Sequence, residues 1–343
     1  MRVLRYTAWN LLELVDMTAP KPAANEILVR VAACGICGSE LETFKNQSPR
    51  RLPPLIMGHE FCGEVVEMGS AVNEWAPGDR VVAHAVVHCG SCDCCGRGDE
   101  HLCRNRQVFG MHRPGAFAEF VSVPANVAIP WPDGLSAVEA CLAEPLANGV
   151  HVAELVRGFA PKRCLVIGAG PIGLMCQQAL QLCHNAEIVV CDLSRERLAV
   201  AARLGALKGI QPQTSDLASS IMEWTSGEGV DCVVDAVGSG LTKQQSLSLL
   251  RPGGAAVWIG LHGDEMAINS YEVTLPERAV FGTYSARLAD IATAVDWMAS
   301  ARVDVRSWVD ASSLEQGVQA FRRMLAAEGD AIKGVLTMGL AEV

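Results

Sequence analysis

The chain is poor in charged residues and has no concentrated block of basic ones. Only 19% of its 343 residues are charged, half are hydrophobic, and the formal net charge is −10. The apolar content argues against intrinsic disorder and supplies enough material for packed cores. The acidic balance disfavours nucleic acid and anionic membrane surfaces as partners, although a small anionic substrate would need only a local positive site.

Targeting and membrane-spanning signals are also lacking. The stretch MRVLRYTAWNLLELVD at the start holds no apolar core followed by a small-residue cleavage site. No window reaches the roughly 18 apolar residues that a membrane span needs. The fourteen cysteines are spread along a long chain, unlike those of a short secreted disulfide scaffold. We therefore expect a cytoplasmic protein with reduced thiols and no membrane partner.

Residues 1–150 have the pattern of a β-rich domain. Short alternating or apolar runs are cut by glycine and proline, which is typical of strands in a barrel-like unit. The runs are ILVRVAA (27–33), FCGEVVEM (61–68), DRVVAH (79–84) and FAEFVSV (117–123). Residues 85–107 have neither helix nor strand periodicity, so we expect an inserted loop there.

Residues 151–285 alternate between predicted strands and helices. The strand CLVIG (164–168) precedes a helical pattern at 171–183, and a helix at 241–251 is expected to stop at Pro252-Gly253-Gly254 before the strand AAVWIG (255–260). This alternation predicts a parallel sheet covered by helices on both faces. Residues 286–343 add two helical patterns and a last strand.

Four cysteines of the inserted loop are close together in sequence. They have the spacing C-x2-C-x2-C-x7-C and are Cys89, Cys92, Cys95 and Cys103. Four thiolates at this spacing suit a closed tetrahedral zinc site, which leaves no open position for a substrate. A fifth cysteine, Cys94, could compete for the metal, but the spacing favours Cys95. The loop therefore predicts a structural zinc ion.

The segment GAGPIG (168–173) predicts a dinucleotide site. Gly168, Gly170 and Gly173 form G-x-G-x-x-G between a strand and a helix, with Pro171 and Ile172 inside the turn. Such a turn brings the backbone and a helix N-terminus close to a pyrophosphate. Related turns bind FAD or S-adenosylmethionine, and a tight turn without a ligand is the alternative.

Asp192 ends the next predicted strand, 19 residues after Gly173. A carboxylate at this position accepts hydrogen bonds from the ribose hydroxyls and repels a 2′-phosphate, which favours NAD over NADP. Arg195 and Arg197 follow it. They are either solvated helix residues or, for one of them, a neighbour of the adenosine.

A second candidate metal site combines Cys37 in GICGSE (35–40) with His59 and Glu60 in GHE (58–60). Thiolate, imidazole and carboxylate are all good zinc ligands. Neighbouring strand residues point to opposite faces, so His59 and Glu60 can both bind only if a turn precedes them, and Gly58 can supply it. The alternative for Cys37 is a redox pair with Cys34, which we expect to lack the following helix of a thioredoxin-like unit.

These motifs occur in a recognisable order along nearly the whole chain. GICGSE, GHEFCGEVVEMG, GDRV (78–81), the four-cysteine loop, AEPL (143–146) and GAGPIG together resemble the zinc-dependent medium-chain dehydrogenases. The resemblance implies an α/β protein in which a GroES-like β-rich catalytic domain precedes a Rossmann domain with a doubly wound parallel sheet. It also implies a C-terminal return to the catalytic domain and a dimer or tetramer.

The resemblance further implies a set of catalytic zinc ligands. Glu144 stands where alcohol dehydrogenases place a second cysteine, which is similar to the polyol branch of sorbitol, butanediol and galactitol-phosphate dehydrogenases. The implied ligands are Cys37, His59, Glu60 and Glu144. In such relatives water can replace one carboxylate, so Glu60 and Glu144 need not bind together.

Other roles are implied residue by residue. Ser39 matches the hydroxyl that takes the substrate proton, and Glu42 stands where many relatives have the histidine that passes this proton to solvent. Lys333 matches a basic residue near the cofactor pyrophosphate. The segment FGMHRPGAFAEF (109–120) resembles L-threonine and sugar-phosphate dehydrogenases, in which case His112 or Arg113 faces the substrate. A turn-exposed arginine is the alternative.

The sequence thus predicts an enzyme with two zinc ions and NAD. We expect it to transfer a hydride from a secondary alcohol, such as a polyol, a sugar alcohol or a sugar-alcohol phosphate, to NAD+. Oxidation of an amino alcohol such as L-threonine is the second prediction. A non-catalytic, NAD-binding dehydrogenase-like protein is an alternative of another class.

Overall fold

A computed structural model of the chain describes residues 1–263, 265–326 and 332–339. Within these ranges the strands are β1 (Arg2–Ala8), β2 (Leu11–Asp16), β3 (Glu26–Gly35), β4 (Leu55–Ile56), β5 (Glu60–Met68), β6 (Arg80–Ala83), β7 (Val86–Val87), β8 (Gln107–Val108), β9 (Phe120–Pro124), β10 (Ala128–Pro130), β11 (Arg163–Ile167), β12 (Glu187–Cys191), β13 (Lys208–Ile210), β14 (Val230–Asp235), β15 (Leu250–Trp258), β16 (Ala279–Gly282), β17 (Val309–Ser313) and β18 (Lys333–Thr337).

The α-helices within the same ranges are α1 (Gly38–Asn46), α2 (Asp93–Gly96), α3 (Ala137–Ala140), α4 (Ala143–Leu155), α5 (Pro171–His184), α6 (Arg195–Arg203), α7 (Leu217–Trp224), α8 (Gly240–Ser248), α9 (Tyr271–Thr274), α10 (Leu288–Ala299) and α11 (Gly317–Ala326). Short 3-10 helices cover Glu100–Leu102, Ala125–Val127, Arg157–Phe159 and Leu314–Gln316. No helix in the described ranges has both the length and the apolar character to cross a bilayer.

The chain divides into two compact units, one formed by Met1–Ala147 with Ser285–Val343 and the other by Asn148–Tyr284. The first unit is built around a seven-stranded sheet. Its order is β10-β6-β5-β3-β18-β17, and β9 also pairs with β3. Because β3 pairs with β5 and with β18 from the C-terminal segment, residues far apart in sequence meet at the end of β3. This end of the sheet carries the first candidate site.

The second unit contains a six-stranded sheet in the order β13-β12-β11-β14-β15-β16, with all strands parallel. Counted within the unit, this is the order 3-2-1-4-5-6 of a doubly wound Rossmann sheet. Apolar side chains from neighbouring strands and from α7 and α8, including Leu165, Val233 and Ile221, form its core. The predicted fold class, a GroES-like β-rich domain with a Rossmann domain, is confirmed.

One predicted boundary in this unit is wrong. The helix ends at Ser248 rather than 251, and β15 begins at Leu250, before the segment Pro252-Gly253-Gly254. The register between β14 and β15 shifts here, since Val230 pairs with Leu250 but Cys232 pairs with Ala255. Proline is tolerated in a strand at such an irregularity, where its missing N–H breaks no ladder hydrogen bond.

The inserted segment is also more regular than expected. Residues 85–107 contain the short strands β7 and β8, which pair with each other, together with α2 and a 3-10 turn. Each element is too short for a periodic pattern to be visible in the sequence.

Candidate active site and metal centres

The first candidate site lies where β3, α1 and β5 meet. Cys37 directly precedes α1 in an extended conformation, and Gly58 precedes β5 with φ +98°. A Cβ at Gly58 would lie 2.7 Å from Phe117 Cδ1 and 2.8 Å from Cys34 Sγ. A larger residue would therefore clash with these two side chains, and it would also have to adopt a left-handed backbone conformation that glycine tolerates best. The predicted turn before His59 is present, and it places His59 and Glu60 beside Cys37.

The ligand atoms of Cys37, His59 and Glu60 all lie within 4.8 Å of one another. His59 and Glu60 are buried, while Cys37 is half-buried. One sulfur, one imidazole nitrogen and one carboxylate oxygen in a largely buried cluster are a donor set that fits zinc. The structure therefore brings together three of the four ligands that the resemblance implied.

Glu144 is not part of this three-residue cluster, although it is buried nearby. Burial raises the pKa of Glu144 to about 7, and the Glu60 carboxylate acts in the same direction, whereas His59 and Lys333 oppose the shift. These groups influence Glu144 because they are close to it. A carboxyl group whose pKa is close to 7 can lose its proton when a cation binds beside it, because the cation favours the charged form.

Glu40, on the first turn of α1, connects the two ligand segments. Its Oε1 accepts a hydrogen bond from Gly58 N at 2.8 Å and lies 3.0 Å from His59 Nδ1, and its Oε2 accepts from Cys37 N at 3.0 Å. Burial alone would raise the pKa of Glu40, but the charge and hydrogen bond of His59 outweigh it, and the pKa is lowered. An ionised carboxylate only accepts hydrogen bonds, so Nδ1 is the donor and Nε2 remains for a metal. Sequence reasoning missed this residue.

Lys333 lies beside the same cluster. Its Nζ donates to Ile36 O at 2.8 Å and forms an ion pair with Glu60 Oε2, and its side chain is almost completely buried. Gly35 leaves room for this pair, because a Cβ there would overlap Glu60 Oε2. Lys333 is therefore not a solvated lysine. Its contact with a cofactor stays a prediction, and its observed contact is with a candidate metal ligand.

Ser39 is also at this site. Its hydroxyl donates to Cys37 Sγ at 3.3 Å and accepts from Arg51 Nη2 at 3.0 Å. Glu42, one turn later on α1, is half-exposed and accepts a hydrogen bond from Asn46. The hydroxyl is thus next to a candidate metal ligand, and its role as proton acceptor stays a prediction.

The redox alternative for Cys37 finds little support. Contrary to expectation a helix does follow Cys37, but Cys34 is completely buried on β3. Burial raises the pKa of the Cys34 thiol well above its usual value, and the Glu40 carboxylate adds to this effect. A reactive pair needs a thiol that is both accessible and easily deprotonated. Cys34 is neither, because it is buried and its pKa is raised.

The four predicted structural ligands come together in the inserted segment. The sulfurs of Cys89, Cys92, Cys95 and Cys103 lie within 4.8 Å of one another, with Cys92 Sγ 3.5 Å from Cys95 Sγ and 3.8 Å from Cys103 Sγ. Four sulfurs at these distances fit a closed tetrahedral zinc site.

Cys94, on α2, is buried. Its sulfur accepts from Arg97 Nη2 at 3.7 Å and groups with Cys92 and Asp93 instead of the four-sulfur cluster.

This four-cysteine lobe, residues 89–103, also contacts the start of α10. Asp99 Oδ1 accepts from Arg287 Nη2 at 2.9 Å, and Glu100 Oε1 accepts from Leu288 N at 2.6 Å. The second bond satisfies an amide in the first turn of the helix, which has no partner inside the helix itself. The lobe therefore supplies a cap to an element that is far away in sequence.

The predicted substrate-facing pair has other partners. Arg113 Nη2 donates to Glu26 Oε1 at 2.5 Å and to Ser122 O at 3.2 Å, and His112 Nδ1 accepts from Val108 N at 3.1 Å. Arg113 is not an exposed turn residue either, because its side chain is only 16% exposed. The structure thus gives no support to substrate contact by either residue.

The glycine-rich turn lies between β11 and α5. Gly168 has φ +100°, and a Cβ on Gly173 would lie 1.8 Å from Gly168 O. Gly170 precedes α5, and Pro171 occupies its first position, followed by Ile172. No other residue type fits at Gly173, and the free amides at the start of α5 suit a pyrophosphate.

Asp192 follows β12 and faces this turn. Its Oδ2 accepts from Ala169 N at 2.6 Å and its Oδ1 from Ser194 N at 2.8 Å, so the carboxylate is fixed beside the glycines. Arg197 also approaches, since its Nη1 lies 3.9 Å from the position of a Cβ on Gly170. Arg195 instead donates to Gln211. Of the two arginines, Arg197 is the neighbour of the dinucleotide turn.

Known proteins match both units. The model of the alcohol dehydrogenase GroES-like domain matches residues 23–133, and that of the zinc-binding dehydrogenases matches residues 171–300. The curated L-threonine 3-dehydrogenase of Pyrococcus furiosus is 35% identical over 260 residues, which cover 75% of this chain and 74% of that protein.

Two solved structures are similar over almost the full length. The 2R,3R-butanediol dehydrogenase of Bacillus subtilis is 26% identical, with a TM-score of 0.89, and the match covers 98% of this chain and 99% of the butanediol dehydrogenase chain. An alcohol dehydrogenase of Escherichia coli CFT073 in complex with NADH is also 26% identical, with a TM-score of 0.91 and the same coverage. The chain therefore belongs to the zinc-binding medium-chain dehydrogenases of the alcohol dehydrogenase superfamily, and it is an NAD(P)-dependent oxidoreductase.

Proposed function

We propose that this chain oxidises a secondary alcohol to a ketone and delivers the hydride to NAD+. The observation that carries the proposal is the cluster of Cys37, His59 and Glu60, whose ligand atoms lie within 4.8 Å, with the Ser39 hydroxyl 3.3 Å from the Cys37 sulfur. A metal-binding set and a proton-accepting hydroxyl in one place are what removal of an O–H proton requires.

In this proposal Cys37, His59 and one or both of Glu60 and Glu144 hold the catalytic zinc. Zinc, when bound, supplies a Lewis acid that favours the deprotonated form of an alcohol. Ser39 would accept the alcohol proton as it releases its own, and the nicotinamide of NAD+, when bound, would take up the hydride with the electron pair of the C–H bond. Glu40 maintains the His59 tautomer whose Nε2 can bind a metal. The four-cysteine lobe holds a second zinc, which is closed to substrate.

We propose NAD as the preferred cofactor. Asp192 is fixed beside the turn by Ala169 N and Ser194 N, which leaves its remaining lone pairs for ribose hydroxyls. Its negative charge disfavours a 2′-phosphate. Arg197 acts against this preference, because its guanidinium lies near Gly170 and would attract the same phosphate.

The substrate class is a polyol, a sugar alcohol or a sugar-alcohol phosphate, with L-threonine as the second candidate. Glu144 in AEPL supports the first candidate, because a glutamate in place of the second cysteine resembles the arrangement in the polyol branch. The 35% identity to L-threonine 3-dehydrogenase over three quarters of the chain supports the second. Both are secondary alcohols and require the same chemistry at Ser39.

A homo-oligomer is part of the proposal. Strand β16 is at the edge of the Rossmann sheet, and Tyr271 and Leu275 just before it are 67% and 76% exposed. Edge strands beside exposed apolar side chains favour association. Light scattering during gel filtration would detect a dimer or tetramer, and a monomer at micromolar concentration would exclude it.

The test of function is NADH formation with polyols, sugar-alcohol phosphates, diols and L-threonine, with and without a zinc chelator. We expect turnover with one of these classes and its loss with the chelator. The Cys37→Ala variant should lose turnover while it retains the zinc of the four-cysteine lobe. A protein with full zinc and NAD+ that oxidises no alcohol, or a fully active Cys37→Ala variant, would contradict the proposal.

A further inference from the structure

Arg51 is a buried cation close to the proposed proton acceptor. It lies in the segment between α1 and β4 and is only 3% exposed. Its Nη2 donates to Ser39 Oγ at 3.0 Å, and its Nη1 donates to Ser39 O at 3.1 Å. Nη1 also donates to Thr43 Oγ1 at 3.3 Å, and Nε to Gly110 O at 3.1 Å. The guanidinium thus holds both the backbone and the side chain of Ser39.

The partners of Arg51 are all neutral. No carboxylate oxygen in the described part of the chain lies within the 4.0 Å of an ion pair with it, and the Glu40 carboxylate is influenced by its charge only from farther away. Burying a cation without a paired anion is costly. A purely structural link between α1 and Gly110 could use a neutral side chain, whereas the positive charge of Arg51 lies directly beside the Ser39 hydroxyl.

Donor and acceptor counts determine how Ser39 is oriented. An arginine only donates, whereas a serine hydroxyl has one proton and two lone pairs. Arg51 Nη2–H occupies one lone pair of Ser39 Oγ, and the hydroxyl proton is directed to Cys37 Sγ. One lone pair remains, in a direction that the two fixed contacts determine.

We propose that Arg51 is the positioning residue that makes Ser39 a proton acceptor. This inference rests on the proposed function of Ser39. The alcohol O–H bond breaks and its proton binds the remaining lone pair of Ser39 Oγ. The Ser39 O–H bond, which points to Cys37 Sγ before the reaction, turns away from the sulfur and breaks, and its proton passes to water or the cofactor ribose. NAD+, when bound, would take up the hydride with the electron pair of the broken C–H bond. Arg51 gains and loses no proton, and its positive charge stabilises the negative charge that develops on the alcohol oxygen.

The test is a double-mutant cycle with Arg51→Gln, Ser39→Ala and the combined variant. The neighbouring Arg50→Gln is the matched control, because Arg50 is exposed. Proton transfer by a positioned group contributes about 100- to 10,000-fold, so we expect Arg51→Gln to lower kcat about 10- to 100-fold. The KM for NAD+ should be unchanged, since the cofactor turn is not touched. In the Ser39→Ala background the Arg51 substitution should have almost no further effect.

Two measurements other than activity accompany the cycle. Zinc content and NADH binding by fluorescence should equal those of the wild type in the Arg51→Gln variant. A crystal structure of this variant should show the Ser39 side chain in another rotamer. Where Arg51→Gln does not fold, Arg51→Lys replaces it, because a lysine keeps the charge but cannot hold both Ser39 atoms as the planar fork does.

The outcomes distinguish a failure of the role proposed for Arg51 from a failure of the role proposed for Ser39. Equal losses from Arg51→Gln in the wild-type and Ser39→Ala backgrounds, or a Ser39 side chain that stays in place, would overturn the inference. Full activity of Ser39→Ala would instead refute the proposed function of Ser39 itself. A loss with Ser39→Ala but none with Arg51→Gln or Arg51→Lys would overturn only the role of Arg51.

Discussion

His59 Nδ1 lies 3.0 Å from Oε1 of Glu40, a carboxylate that is completely buried 19 positions earlier in the chain. The same oxygen accepts from Gly58 N, and the second oxygen accepts from Cys37 N. One side chain therefore determines the orientation of the ring and the positions of both ligand-bearing segments. Such partners fix the tautomer and the ring orientation of a metal-binding histidine.

Replacement of Glu40 should weaken the catalytic zinc site selectively. We expect Glu40→Gln to lower zinc affinity about 10- to 100-fold, the usual effect of losing a partner of a metal-binding histidine. Competition with a chromophoric chelator measures this affinity. The control is Glu67→Gln, an exposed glutamate on the same strand as Glu60. Equal zinc affinity in the Glu40→Gln and wild-type proteins would show that the contact has no such role.

Cys94 and Cys95 form a natural pair of test residues in the lobe. Cys95→Ser should reduce the zinc content from two ions to one per chain, because it removes one ligand of the four-sulfur cluster. Cys94→Ser should leave two ions, since its sulfur contacts Arg97 and lies outside that cluster. Metal analysis of the two purified variants distinguishes them. Loss of an ion from Cys94→Ser but not from Cys95→Ser would reverse the assignment.

The charge of Asp192 should control the choice between NAD and NADP. Hydrogen bonds to charged groups contribute about 1.5–3 kcal/mol, so Asp192→Asn should lower kcat/KM for NAD+ about 10- to 100-fold. Its kcat/KM for NADP+ should rise, because repulsion ends while Arg197 remains. Glu187→Gln, an exposed change at the start of β12, the strand that Asp192 follows, is the control. An unchanged ratio of the two cofactors in Asp192→Asn would contradict the assignment.

His84 should make the stability of the first unit depend on pH. It is buried, with Nε2 2.7 Å from Ala286 O and Nδ1 2.6 Å from Val86 O. Burial lowers the pKa of His84, and the hydrogen bonds to Val86 and Ala286 only partly oppose the shift. The unfolded chain therefore takes up a proton near pH 6.5 that the folded chain does not. The free energy of unfolding should be highest above that pH and fall as the pH drops towards the folded pKa.

Urea unfolding between pH 5 and 8 measures this dependence. The His84→Asn variant should have a flatter profile than the wild type over this range, whatever its absolute stability. His262→Asn, at an exposed histidine, should keep the wild-type slope. Identical slopes for His84→Asn and the wild type would mean that another group is responsible.

Local patterns in the sequence predicted much of this molecule. The alternation of elements and the G-x-G-x-x-G turn indicated the Rossmann sheet, and Gly58 indicated a turn, at which the structure has a positive φ. These features depend on residues that are neighbours in the chain. The strand at Leu250 was misplaced because Pro252 and Gly253 have the local signature of a turn, whereas pairing with β14 extends the strand through them.

The groups around the candidate site could not be predicted in the same way. Glu40 follows Cys37 by three positions, the spacing of a capping box, so its bond to Cys37 N had a signal. Its contact with His59, and the contacts of Arg51 with Ser39 and of Lys333 with Glu60, depend on the packing of separate elements. No periodicity encodes such contacts, so the sequence carries no signal for the contact of Arg51 with Ser39 or for that of Lys333 with Glu60.

The contact between the four-cysteine lobe and α10 matters for any attempt to truncate this insertion. Removing residues 89–103 would delete more than a metal site. It would leave the amide of Leu288 without its acceptor and Arg287 without the carboxylate of Asp99. Arg287 and Leu288 are three and four positions after Tyr284, close to the point at which the chain re-enters its first unit. A shortened version of this protein would therefore need a new acceptor for the amide of Leu288, because loss of a helix cap costs about 0.5–2 kcal/mol.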